Sequence, residues 1–218
     1  LFALLAWFRL KSVPVRANMR EQRDIFREKH TYTMTSLYLM TFGLFSGFAA
    51  AFPVLIANQF GDFDNPPDPL TYAFIGPLVG SIMRIAAGPI SDRVGGARVT
   101  QVAGIGLVAS LIATSFFVVP DSRSDFTPFV LCMVAVFFFS GIGNASTFKQ
   151  IPMLFDTIKT AGVIGWTAAI AAYGPFLFGV LIPAAGPRAF YFGVAVFCAL
   201  NVGLNWWYFS RRNAPNPC

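Results

Sequence analysis

The chain has 218 residues, 56% of them hydrophobic, 16% aromatic and 12% charged, with a formal net charge of +6. Soluble domains carry about 25% charged residues, so a soluble fold is excluded, and apolar stretches long enough to cross a bilayer recur along the whole length. The positive charge does not mark a nucleic-acid binder, because Lys and Arg fall in the short segments between apolar runs and build no basic face.

Leu1–Phe8 is apolar, too short to span, and followed at once by basic residues. It reads as the end of a preceding transmembrane helix, since a signal peptide carries its charge before its apolar part. Residues 9–33 are polar and rich in Arg and Lys, with Glu21, Asp24 and Glu28 among them. They are expected to form a cytoplasmic linker between two halves of a larger protein, with a short amphipathic helix on the membrane surface. Six spans are then predicted, at 34–57, 70–90, 99–119, 126–148, 161–182 and 189–209, each near the ~20 residues that cross the hydrocarbon. The predicted fold class is an all-α membrane protein, with one six-helix half over 34–210 and a cytoplasmic tail over 211–218. The alternating ten-residue strands of a membrane β-barrel are absent from the sequence.

Orientation follows from basic residues. With the first polar segment in the cytoplasm, that side receives thirteen of the 16 Lys and Arg; Arg123 and Arg188 fall outside and Arg84 within the membrane. Such a bias predicts cytoplasmic polar ends. Cys132 and Cys198 lie in apolar runs and Cys218 in the tail, with no spacing for a metal site or a disulfide framework. No cofactor is expected.

Arg84 is the most informative residue. It sits in the apolar run 74–90, which holds no Asp, Glu, His or Lys. A charge at that depth costs roughly 2.5–3.5 kcal/mol on insertion scales and faces a protein interior or a water-filled path. An unpaired cation there implies an anionic ligand; the alternative is an acid from elsewhere in the protein. Gly76, Gly80, Arg84, Gly88 and Asp92 are spaced by four and share one slowly drifting helix face, which predicts packing or pore lining at Arg84. In the first span Tyr38, Phe42 and Ser46 are expected on one face, with Gly43 and Gly47 on an adjacent packing face. No span holds a buried Asp, Glu or His, so no side-chain proton relay is visible. Lys149 and Asp156 flank the inner end of the fourth span and are expected to form a surface charge pair.

The stretch from Gly88 through Asp92, Arg93 and Gly95 to Arg98 has the pattern G-x-x-x-D-R-x-G-x-x-R. It resembles the cytoplasmic loop motif of the major facilitator superfamily and lies between the second and third helices of a six-helix half, where that superfamily carries it. The physical role expected is a latch for one conformational state: the Asp pairs with a cation or a helix N-terminus, and the glycines permit the turn.

More of the chain resembles one family. The runs YLMTFGLFSGFAAAFPVL and GPLVGSIMRIAAGPISDRVGG, then GIGNASTFKQIPMLF at 141–155 and GWTAAIAAYGPFL at 165–177, are similar to helices of the nitrate/nitrite porters. The resemblance runs from about His30 to the end and implies the C-terminal half of a two-half carrier in a bacterial inner membrane. It implies that one Arg from each half binds a planar anion, and that Arg84 is the one supplied here. Tyr38 then bonds the anion, Phe42 is one of two flanking rings, and Asn144 and Gly165 belong to the site. A guanidinium fork suits a planar oxyanion, and the partners implied are nitrate, nitrite, lipid and the N-terminal half. The fifth span departs from the family pattern at Ala168, Ala171 and Tyr173. Nitrate/nitrite antiport is the expected activity, with proton symport or another small anion as alternatives. A non-transporting anchor is disfavoured by the intact loop motif and Arg84. An enzyme would need a nucleophile, metal set or acid–base pair at membrane depth, and none is visible.

Overall fold

The computed structural model describes residues 7–9 and 23–218. Most of the expected preceding helix end and of the linker, with its amphipathic helix, lies outside the described residues. Among the described residues the chain is helical, with no strand. Six helices are long and apolar enough to cross a membrane: α1 (Lys29–Phe60), α2 (Pro69–Val94), α3 (Gly96–Phe117), α4 (Arg123–Leu154), α5 (Thr157–Ala185) and α6 (Pro187–Ser210). Each matches one predicted span, α3 ending two residues short of its expected end at 119.

α1 starts before its predicted span. A 3₁₀ turn at Asp24–Arg27 precedes it, and the Thr31 hydroxyl donates to the Ile25 carbonyl at 2.7 Å, anchoring the buried Ile25. Lys159 of α5 meets Glu28 at 2.6 Å and Trp166 packs edge-on to Phe26 at 4.8 Å. These tertiary contacts extend a helix that hydropathy alone begins later. At the far end Asp68 accepts from Leu70 N at 3.0 Å and Thr71 Oγ1 at 2.8 Å, capping the start of α2.

The helices pack through small residues and rings, as association in lipid requires. A Cβ on Gly76 would strike the Phe137 ring, and one on Gly141 would strike the Gly80 carbonyl, so α2 and α4 touch backbone to backbone. A Cβ on Gly47 would lie 2.7 Å from the Phe178 ring, bringing α1 against α5. Phe48 stacks on Tyr191 at 5.2 Å and meets Phe178 edge-on at 4.6 Å, which joins α1, α5 and α6. Buried polar pairs add specific bonds: Thr100 with Ser146 at 2.7 Å, Gln150 Nε2 to Thr100 at 2.6 Å, and Asn205 Nδ2 to Gln101 Oε1 at 2.8 Å. α2 and α5 bury the least of their length. Their outward faces carry Ile82, Ile85, Phe176 and Val180, which suits contact with lipid or with a further part of the protein.

Two helices depart from regular winding at membrane depth. α1 contains a π-turn at Leu39–Gly43, in which the Leu44 N–H reaches the Leu39 carbonyl, five residues back. α5 is broken between Ala171 and Gly174. The two irregular points face each other, for a Cβ on Gly174 would strike the Gly43 carbonyl.

Candidate functional site

The second helix delivers Arg84. Gly76 and Gly80 are buried against α4, but one turn later the face has drifted and Arg84 is exposed on this half. Of the two expected surroundings, packing or pore lining, Arg84 has no packing within this half: the glycines pack and the Arg emerges beyond them. Among the described residues the guanidinium makes no ion pair and no hydrogen bond.

The Tyr38 ring is buried and stacks on Phe42, with centroids 5.4 Å apart and planes 12° from parallel. Phe148 of α4 meets Tyr38 edge-on at 5.0 Å. The stack continues from Phe42 to Phe45 at 6.4 Å and 24°. Ser46, expected on the same face, donates its hydroxyl to the Gly43 carbonyl at 3.2 Å. The Tyr38 hydroxyl bonds to no described residue and remains available.

Asn144 is 1% exposed on α4, and its Oδ1 has no partner among the described residues. Buried side-chain polar atoms are normally satisfied, so this amide stands ready for a further partner. Gly165 of α5 is exposed and a Cβ there would meet nothing within 4 Å. The close contact of that segment is made by Gly174, not by Gly165.

The loop motif joins α2 to α3. Gly95 has φ +101°, a backbone that only Gly adopts without strain, and the turn it makes starts α3. Asp92 pairs with Lys149 at 2.6 Å, while Arg93 and Arg98 are exposed and make no ion pair among the described residues. Gly88 is half-buried with open space where a Cβ would stand. The expected pairing of Lys149 with Asp156 does not occur. Asp156 caps α5 by accepting from Lys159 N at 2.8 Å, and Lys149 turns to α2. The tail closes over this turn, where Ala97 N donates to the Cys218 carbonyl at 3.1 Å. Burial there pushes the Cys218 thiol up to about 11.

Comparison with known proteins gives this arrangement a context. The "Probable nitrate/nitrite antiporter NarK2" of Thermus thermophilus is 58% identical over 99% of the chain and 50% of its own length. The chain belongs to the nitrate/nitrite porter family. The nitrate/nitrite transporter NarU of Escherichia coli is 31% identical over 96% of the chain and 50% of its own length, and the nitrite extrusion protein of Bacillus subtilis is 29% identical over 91% and 50%. The chain thus spans about half the length of the curated relatives it matches. No protein-family model matches it.

Within this family member, sequence reading missed three elements of the site's surroundings. Phe45 and Phe148 extend the aromatic group, and Thr41 bonds Thr147 across α1 and α4 at 3.2 Å. The signal for Phe148 was present, as it closes the GIGNASTF run. Nothing in the local sequence marks Thr41 as different from other membrane threonines.

Proposed function

We propose that this chain is the C-terminal six-helix half of a carrier that moves nitrate and nitrite across a bacterial inner membrane by alternating access, most simply as an exchanger. The reading places the polar segments before α1 and after α6 in the cytoplasm, with the loop motif on that side. The observation that carries it is Arg84: a guanidinium in an apolar run, unpaired among the described residues, on one of the two least buried helices, in a half whose Tyr38 hydroxyl bonds to no described residue. Arg84 supplies the planar fork, Tyr38 a hydroxyl donor, and the Asn144 amide a donor once its two ends are oriented by the ligand. Phe42 shapes the site. Its faces lie toward Tyr38 and Phe45, and a ring's rim is the electropositive part that an anion tolerates. Gly165, exposed and with open space where a Cβ would stand, leaves room on α5.

Exchange is favoured over proton symport because, among the described residues of this half, no acid or imidazole lies in the six predicted apolar spans, and one nitrate for one nitrite balances charge by itself. The names of the relatives support nitrate and nitrite over other anions.

Counterflow in proteoliposomes of the full-length protein tests the reading. With nitrite inside, nitrate outside and no pH gradient, the wild type is expected to exchange rapidly. Arg84→Lys keeps the charge but loses the fork, and is expected to lower exchange at least tenfold, the scale of a lost ~1.5–3 kcal/mol charged hydrogen bond. Uptake that appears only under an imposed proton gradient would replace exchange by symport. Full exchange by Arg84→Lys would remove Arg84 from the site.

A further inference from the structure

The π-turn at Leu39–Gly43 starts just after Tyr38 and contains Phe42, two residues of the proposed site, and how it is held has a bearing on both. In a regular α-helix residues four apart are offset by about 40°, which splays their rings. A π-turn underwinds the helix and reduces that offset. The ring planes here are 12° from parallel.

Thr41 sits inside the turn, fully buried. Its Oγ1 lies 3.2 Å from the Leu37 carbonyl and 3.4 Å from the Tyr38 carbonyl, the two backbone acceptors just before the turn. It also lies 3.2 Å from Thr147 Oγ1 on α4. Thr147 makes its shortest bond to the Gly143 carbonyl, at 2.8 Å, which leaves its oxygen free to accept from Thr41. The Thr41 methyl fills the space above Gly143, where a Cβ would come within 2.6 Å of it. Thr41 is therefore pinned on α4 by both branches of its side chain. All of these contacts are internal to this half.

We propose that Thr41 is the positioning residue of the anion site: its hydroxyl clamps the π-turn of α1 to Thr147 of α4, and so fixes the parallel Tyr38 and Phe42 rings and the direction of the Tyr38 hydroxyl. Thr41 touches no anion itself. The proposal rests on the anion-transport reading above, and its test has one arm that needs no anion.

The full-length protein is compared with Thr41→Val, which keeps the branched shape and loses the hydroxyl, and with Thr41→Ser, which keeps the hydroxyl. The first arm is hydrogen exchange of the backbone amides in residues 39–44, followed by mass spectrometry. Thr41→Val and Thr147→Val are expected to exchange faster than wild type there, and Thr41→Ser to stay close to it. The second arm is nitrate/nitrite counterflow. In Thr41→Val the nitrate concentration for half-maximal exchange is expected to rise about fivefold, the ratio set by one ordinary hydrogen bond, with a smaller change in maximal rate. Thr41→Ser is expected to stay within about twofold on the same basis, and the double valine variant to be no worse than either single one. The proposal is overturned if Thr41→Val leaves both amide exchange and half-saturation unchanged, or if Thr41→Ser is as impaired as Thr41→Val. A wild type that carries no nitrate would overturn the transport reading instead, and the amide-exchange arm would still decide for or against the clamp.

Discussion

Single residues in this chain divide into those whose partners are present and those whose partners are not. Arg84, the Tyr38 hydroxyl and the Asn144 Oδ1 belong to the second kind among the described residues; Arg84 was legible because a charge at membrane depth is costly wherever the chain goes, whereas Tyr38 and Asn144 were singled out only by the family resemblance. Asp92 and Lys149 belong to the first kind. Their presence at the C-terminal ends of α2 and α4 was readable, but not their pairing, because a salt bridge depends on two helices meeting. Asp68 gives a test at this scale. Its carboxylate accepts from the Thr71 hydroxyl and the Leu70 amide, and both bonds hold it below the usual carboxylate range. A depressed pKa means that the cap's contribution is complete above the ordinary carboxylate value and is lost as pH falls through the lower folded one. Amide exchange at residues 69–73 is therefore expected to rise, relative to the neighbouring turns of α2, between pH 5 and pH 3 (on the order of the usual carboxylate range). Asp68→Asn should abolish that pH dependence; an unchanged profile in the variant would place the protonation elsewhere.

Between elements, the glycines sort by what stands opposite them. Gly141 meets the Gly80 backbone, which has no flexible end to move aside. Gly141→Ala is expected to cost about 1–3 kcal/mol, the range for overpacking a tight contact, seen as a lower thermal midpoint in detergent. Gly165 faces open space in this half. Gly165→Ala should leave the thermal midpoint of the purified half unchanged while impairing transport by the full-length protein, if this position meets substrate or a facing helix. Equal midpoints for Gly141→Ala and wild type would contradict the α2–α4 packing. Six helices and their order were readable because hydropathy is a local property that repeats at the bilayer's thickness. The π-turn in α1 and the break in α5 were not. Both depend on which helix lies opposite: Gly174 must approach Gly43 before either irregularity has a reason to exist. The early start of α1 has the same kind of cause, since Phe26 and Glu28 just before it are held by Trp166 and Lys159 of α5, far away in the sequence.

For the whole molecule, the distribution of basic residues and the low burial of α2 and α5 agree with a half whose exposed faces meet lipid and a second half. The loop motif, readable from spacing alone, falls at one end of that assembly and is closed there by the chain's own tail. One feature reaches further than its immediate surroundings. Among the described residues no acid stands beside the Arg84 guanidinium. On the alternating-access reading proposed above, each change of access would close the two halves over that standing charge at the low-dielectric centre. A bound nitrate would lower the charge by one and its release would restore it, so the vacant carrier would be the form least able to return and turnover would wait for a return cargo. Efflux of preloaded labelled nitrate into anion-free medium is expected to be at least about tenfold slower than efflux into medium containing nitrite, given roughly 1.4 kcal/mol per tenfold and a desolvation difference of several kcal/mol. Equal rates would mean that the vacant site crosses as readily as the filled one, and that the charge on Arg84 is neutralised by a partner during the crossing.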